Sequence, residues 1–299
     1  MKNYKLILLI SLGIIVVAYP AGISHAKKPR KESQPPAKAG ASNPNDPGGH
    51  SARGFEAAKR HDYDTAIAEF SKAIEAEPKD AKNYFNRGTA YRGANKLTEA
   101  LADFSKAIEL APQDLAAYVG RGEVLLAQKQ PDRALADFEK ALQISPNDLA
   151  ARRFRGFAFI SKGEWEKAIA DYEVVLKAEP NNAGAYERRA FAYRNLKKYN
   201  EAIADYTKAI AIDPADADGY RHRAYVYAVN GDTQKAVADY RAVLKIKPDD
   251  ADAQSRLKGL EKQANPSPAM GSTPAPARQA PGAMPGVSPR ITTPGASPH

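Results

Sequence analysis

Six arginines recur every 34 residues: Arg53, Arg87, Arg121, Arg155, Arg189 and Arg223. Sixteen residues after each comes an acid: Glu69, Asp103, Asp137, Asp171, Asp205 and Asp239. A guanidinium presents its donors as a planar fork that fits a carboxylate or phosphate. The series therefore has two chemical readings. In one, each arginine pairs with its own acid and ties two elements together, its stem lying over apolar surface. In the other, the guanidiniums wind into a spiral for an anionic polymer. A matched acid in every unit favours the first.

Other reactive chemistry is sparse. His25, His50, His61, His222 and His299 are scattered, with none at metal-ligand spacing from another on a helix. The chain has no cysteine, so disulfides, thiolate metal sites and thiol nucleophiles are excluded. Neither a glycine-rich phosphate loop nor a Gly-x-Ser-x-Gly elbow occurs. Most Asp and Glu residues follow the repeat period and so have a structural explanation. The expectation is a non-catalytic chain with no metal and no cofactor.

The elements that position the arginines share the same period. Pro44, Pro78, Pro112, Pro146, Pro180, Pro214 and Pro248 are 34 residues apart. Two residues after each stands a short acceptor: Asp46, Asp80, Asp114, Asp148, Asn182, Asp216 and Asp250. Such a residue before a helical pattern is an N-cap, so each proline closes one helix and each Asp or Asn opens the next. Within the second unit, Tyr84, Gly88 and Tyr91 share one helical face, and Ala100, Phe104 and Ala107 share another. The turn between them holds Ala94, Asn95 and Lys96. Each unit is a helix–turn–helix, and a period of this length means stacked copies. Pro131 falls at the start of a second helix, where its missing N–H does little harm.

This pattern resembles the tetratricopeptide repeat. Small residues recur in the first helices as Gly54, Gly88, Gly122, Gly156, Ala190 and Ala224. Ala66, Ala100, Ala134, Ala168, Ala202 and Ala236 follow in the second helices. Rings follow them at Phe70, Phe104, Phe138, Tyr172, Tyr206 and Tyr240. The resemblance covers repeats 47–80, 81–114, 115–148, 149–182, 183–216 and 217–250. Residues 251–262, with Leu257 and Leu260 amid charges, fit the polar capping helix that ends a solenoid. The implied fold is an all-α, right-handed α-solenoid of six helix–turn–helix repeats plus that cap. Two departures stand out. His50 and Arg152 occupy the place where four repeats have Tyr, and Gly48 and Gly49 predict a short or frayed opening helix.

The resemblance also implies that the first helices line a concave groove, and helical spacing agrees. The candidate groove residues are Phe85, Arg92, Glu123, Arg153, Phe157, Arg188, Phe191, Arg194, Arg221 and Tyr225. Repeats four to six combine rings with arginines, a pairing common at interface hot spots. Repeat three is apolar and acidic, with Val119, Leu126 and Glu123. The expected partner is a protein or peptide segment with apolar and acidic side chains. The rival reading of the rings is that they pack against the neighbouring repeat. The lysine and asparagine pattern with which some relatives clamp chaperone tails is echoed only by Asn86 and isolated bases, so such tails are not the expected ligand. Two other functions fit the sequence: a self-associating structural protein, or a binder of an acidic envelope polysaccharide.

The net charge of +9 does not belong to the repeats. Residues 47–262 hold 35 basic and 33 acidic residues, and the remaining excess lies in the flanks. That argues against a nucleic-acid footprint on the fold. Lys2 and Lys5 precede an apolar run from Leu6 to Ala18, and Ser24-His25-Ala26 offers small residues for cleavage. Residues 1–26 therefore read as a bacterial-type signal peptide, giving a periplasmic or secreted protein. The alternative is an uncleaved anchor, Leu6 to Ile23, that holds the protein at the inner membrane facing the periplasm. Lys27, Lys28, Arg30 and Lys31 weigh for the anchor. The basic, proline-bearing stretch 27–46 and the Pro/Ala/Gly/Ser-rich stretch 263–299 have too few apolar side chains to offset the entropy of ordering, and both read as disordered.

Overall fold

A computed structural model describes residues 47–264. The leader, the 27–46 linker, the tail beyond residue 264, and Pro44 and Asp46 of the register lie outside the described residues. Thirteen helices and no strand occupy the described part: α1 (Pro47–Lys59), α2 (Tyr63–Ala76), α3 (Ala81–Gly93), α4 (Leu97–Leu110), α5 (Leu115–Ala127), α6 (Pro131–Ile144), α7 (Leu149–Lys162), α8 (Trp165–Ala178), α9 (Ala183–Asn195), α10 (Tyr199–Ile212), α11 (Ala217–Val229), α12 (Thr233–Ile246) and α13 (Ala251–Ala264). Each odd-numbered helix up to α11 packs on the even-numbered helix that follows it, and each such hairpin packs on the next.

The helix boundaries follow the caps that the sequence announces. The side chains of Asp80, Asp114, Asp148, Asn182 and Asp216 accept N–H groups from the first turns of α3, α5, α7, α9 and α11. Asp250 does the same for α13 through the Ala253 N–H at 2.9 Å. Pro131 is the first residue of α6. Gly48 and Gly49 do not shorten α1, which has 13 residues like α3 and α5. Packing overrides their poor propensity: Gly54 and Ala57 of α1 are buried, and an alanine Cβ at Gly54 would come within 2.7 Å of the Phe70 ring.

The small residues let the paired helices close on a ring. Phe70, Phe104, Phe138, Tyr172, Tyr206 and Tyr240 are all at most 1 % exposed. A Cβ at Gly122 would stand 2.5 Å from Phe138. A second set of constraints joins the helices by charge. Arg87, Arg121, Arg155, Arg189 and Arg223 each grip the acid sixteen residues later with two hydrogen bonds of 2.6–2.9 Å. Arg53 makes one such bond to Glu69 at 2.7 Å. Arg87, Arg121 and Arg223 also donate to Ser71, Ser105 and Thr207 of the preceding repeat. The arginine series is therefore a bracket within and between repeats, as the matched acids suggested.

The two departures from the aromatic register are each accommodated. Tyr84 and Tyr118 donate their hydroxyls to the carbonyls of Pro78 and Pro112. Arg152 donates to the carbonyl of Pro146 at 2.7 Å, so the bond survives the change of residue. His50 turns instead to Glu69, 2.8 Å away.

The turn inside every repeat uses one left-handed residue at a fixed place: His61, Asn95, Lys129, Gly163, Lys197 and Gly231. Only two of these six are glycine, the residue without a Cβ penalty there. The cap helix α13 buries Ala253 and sets Leu257 and Leu260 against the repeat-six core around Tyr240 and Val243. It runs two residues beyond the expected end, to Ala264.

Candidate functional site

First helices of successive repeats touch one another, α1 with α3, α3 with α5, α5 with α7 and α7 with α9. The second helices show no comparable approach. A row of hairpins that close on one side and splay on the other curves toward the closed side, so the first helices form the inner wall. The ten candidate residues all lie on first helices, α3 to α11.

In repeats two and three the wall is largely occupied with itself. Arg92 on α3 is paired with Glu123 on α5. Burial pushes the Glu123 carboxyl up against the pull of Arg92 and Arg153. Phe85 is half-buried, with its ring 5.6 Å from that of Phe104. Val119 does not line an open groove; at 7 % exposure it belongs to the central core.

Repeats four to six differ. Phe157 on α7 and Phe191 on α9 are half-buried, while Tyr225 on α11 is 39 % exposed. The Arg188 guanidinium sits 4.5 Å above the Phe157 ring. The Arg194 guanidinium sits 4.4 Å above Phe191 and 5.2 Å from Tyr225. Arg256 of α13 approaches the Tyr225 ring at 5.8 Å. Rings and cations thus alternate along the wall from α7 to α13. Phe191 also meets the edge of Trp165, ring centres 5.9 Å apart, so the ring contributes to packing as well as to the wall.

The arginines of this wall divide into two kinds. Arg221 is bound to Asp218 and to Asp250, the cap residue of α13. Arg256 is bound to Asp252, and Arg153 lies 3.9 Å from Glu179. Arg188 and Arg194 have neither an ion pair nor a hydrogen bond among the described residues; ring faces alone hold them. Stacking fixes the guanidinium plane and leaves its N–H edge open to a further acceptor.

Two more residues of this wall, and one core ring behind it, come together between repeats five and six. Glu187 on α9 is pushed up to about 8 by burial and then by Asp216, the N-cap of α11. Burial pushes the half-buried His222 imidazole of α11 down. The Tyr206 ring packs 5.6 Å from His222. Glu187 and His222 fall on groove-facing places of the helical spacing, and Tyr206 reads as a core ring. Their convergence depends on how α9, α10 and α11 nest, which no single repeat displays. No group of three or more His, Asp or Glu side chains among the described residues is gathered as metal ligands.

Comparison with known proteins agrees with this architecture. Models of the tetratricopeptide repeat match residues 52–114, 85–149, 125–190 and 217–250, and a TPR repeat model matches 192–231. No curated protein matches the chain in sequence. Among solved structures, YrrB, described as a TPR protein with an unusual peptide-binding site, is 26 % identical with a TM-score of 0.55, covering 63 % of this chain and 97 % of its own. PilW, described as a widely conserved type IV pilus biogenesis factor, is 20 % identical with a TM-score of 0.65, covering 71 % and 98 %. Pseudomonas aeruginosa pilF is 16 % identical with a TM-score of 0.62, covering 71 % and 97 %. Together the repeat models take in nearly all of the helical part, and the small-residue, ring and proline register supplies the physical reason: the chain belongs to the tetratricopeptide repeat family.

Proposed function

We propose that the chain is a non-catalytic interaction scaffold that binds a protein segment along the inner wall of repeats four to six. One observation carries this reading. Arg188 and Arg194 are held by rings and have no carboxylate partner among the described residues, whereas the neighbouring Arg221 and Arg256 do. An acidic and apolar segment would supply the missing acceptors and cover Phe157, Phe191 and Tyr225. The peptide-binding site named for YrrB supports a role of this kind for the fold. An acidic polysaccharide would satisfy the same arginines, but the apolar faces of Phe157 and Phe191 suit a protein better.

The leader points to the envelope. We infer export to the periplasm or beyond after cleavage following Ala26; retention at the inner membrane through residues 6–23 is the alternative. Among the described residues no helix is long and apolar enough to cross a membrane. A comparison of mature and precursor mass in the host decides between the two.

The functional test is affinity capture from an envelope fraction, with an Arg188→Gln/Arg194→Gln variant run beside the native protein. These substitutions are better chosen than Arg221→Ala, which would release Asp250 at the cap of α13. Partners lost from a variant of unchanged melting temperature support the groove. An identical partner set refutes it. Retention of glycan in place of protein, abolished by salt, would move the function to the polysaccharide reading.

A further inference from the structure

The two arginines held only by rings stand at consecutive steps of the wall. Arg188 leaves α9 and lies on Phe157 of α7, its guanidinium 4.5 Å from the ring centre. Arg194 leaves the same helix toward α11 and lies between two rings, 4.4 Å from Phe191 and 5.2 Å from Tyr225. Those distances hold the Phe191 and Tyr225 ring centres no more than about 10 Å apart, the spacing of packed helices. Phe157, Phe191 and Tyr225 occupy the same place in successive repeats, so the step from Phe157 to Phe191 is of the same size. The step from α7 to α9 and the step from α9 to α11 thus each carry one guanidinium with no carboxylate partner among the described residues. Phe191 stands between the two charges, which are about 10 Å apart.

Both cations are open to the groove. Arg188 is exposed, Arg194 and Phe191 are half-buried, and Tyr225 is exposed. The acids nearby are otherwise engaged. Asp218 is bound to Arg221, Asp252 to Arg256, and Glu179 lies beside Arg153. Glu187 holds its proton at neutral pH, since burial and then Asp216 push it up to about 8, so it adds no negative charge there. In the earlier repeats the corresponding charge is already answered, Arg92 by Glu123.

We propose that Arg188 and Arg194 act as one paired site, and that the bound segment presents two carboxylates about 10 Å apart, one to each guanidinium, with apolar surface between them over Phe191. This rests on the groove reading given under Proposed function. A guanidinium stacked by its face keeps its N–H edge for a carboxylate. Two acids on one segment bind as a unit: once the first is seated, the second is held at high local concentration, and only a matching spacing gains from this. A polyproline-type segment advances ~3.1 Å per residue and repeats its facing every third residue, so acids at i and i+3 stand about 9 Å apart on one side. A pleated strand sends i and i+3 to opposite faces and does not match.

The test uses the full chain and blocked, end-labelled oligoproline rods whose binding is read by fluorescence anisotropy. One rod carries a single glutamate, one carries two glutamates three residues apart, and one carries two glutamates nine residues apart. The last two have the same charge on the same face and differ only in distance. The rod with glutamates three apart is expected to bind about tenfold more tightly than either of the others. Arg188→Gln and Arg194→Gln, each at unchanged melting temperature, should each bring the three rods within about threefold of one another. If the nine-apart rod binds as tightly as the three-apart rod, charge alone is read and the paired site is refuted while the groove stands. Loss of the preference in only one of the two variants refutes it equally. If no rod binds the native chain, the groove reading itself fails and the paired site falls with it.

Discussion

Replacing Glu187 by glutamine should remove a pH-dependent weakness between repeats five and six. Glu187 ionises normally near 4.5 in an unfolded chain and near 8 in the fold, where burial comes first and the Asp216 carboxylate second. The folded state therefore holds more protons than the unfolded state between these values. By linkage, stability falls as pH rises through that window and is flat outside it. At ~1.4 kcal/mol per pH unit the full window would correspond to roughly 5 kcal/mol. The side chain is only partly buried, and water screens it, so about half of that is expected, ~2–3 kcal/mol. For a domain of this size that is on the order of 4–10 °C in melting temperature. Thermal unfolding of the native chain and of Glu187→Gln, both followed from pH 5 to pH 9, isolates the effect by subtraction. The subtraction also removes His222, whose lowered proton affinity makes stability rise with pH up to its ordinary value and so acts in the opposite direction. Glutamine keeps the shape and cannot ionise, so its curve should pull above the native one as pH rises. Hydrogen exchange should localise the gain to α9 and α11, because solenoid stability is a sum of neighbouring-repeat terms. Parallel curves across the window would show that Glu187 and Asp216 do not repel at this boundary, and the reasoning would fail.

Two further outcomes follow from the repeated brackets and turns. Asp137→Ala strands the Arg121 guanidinium beside a buried face and should cost about 3–5 kcal/mol in urea unfolding, whereas Arg121→Leu/Asp137→Ala should cost clearly less; equal losses would mean that the pair, not the stranded charge, sets the energy. Lys129→Gly relieves a left-handed lysine at φ 60° and should raise stability by roughly 0.5–1 kcal/mol, while the same change at exposed Lys140, inside α6, should lower it by a similar amount.

The fold was legible because the constraints recur. A single Asp before a helix is weak evidence, but Asp80, Asp114, Asp148 and Asp216 in one register each imply the same cap, and each is found capping. The Arg–Asp brackets were legible for the same reason. The turns were less so. His61, Asn95, Lys129 and Lys197 adopt a backbone that favours glycine, and only Gly163 and Gly231 announce it. Tertiary packing of the paired helices overrides the local preference there. α1 escaped for the same cause, since its glycines count against a helix that ring packing nevertheless holds.

The wall of repeats four to six is harder to read because its meaning lies in differences between repeats that share one register. Arg188 and Arg221 stand one register place apart in successive repeats. Arg221 reaches Asp218 and the α13 cap Asp250, and Arg188 is left on a ring. Tyr172 and Tyr206 are likewise the same residue at the same register. One finds a carbonyl and the other does not, and the second stands beside the buried nitrogen of His222. Lack of a bond alone does not mark a recognition residue, since Arg152 Nε and Arg221 Nε are also buried without an acceptor among the described residues; what sets Arg188 and Arg194 apart is that their guanidiniums rest on rings of the inner wall and not on carboxylates.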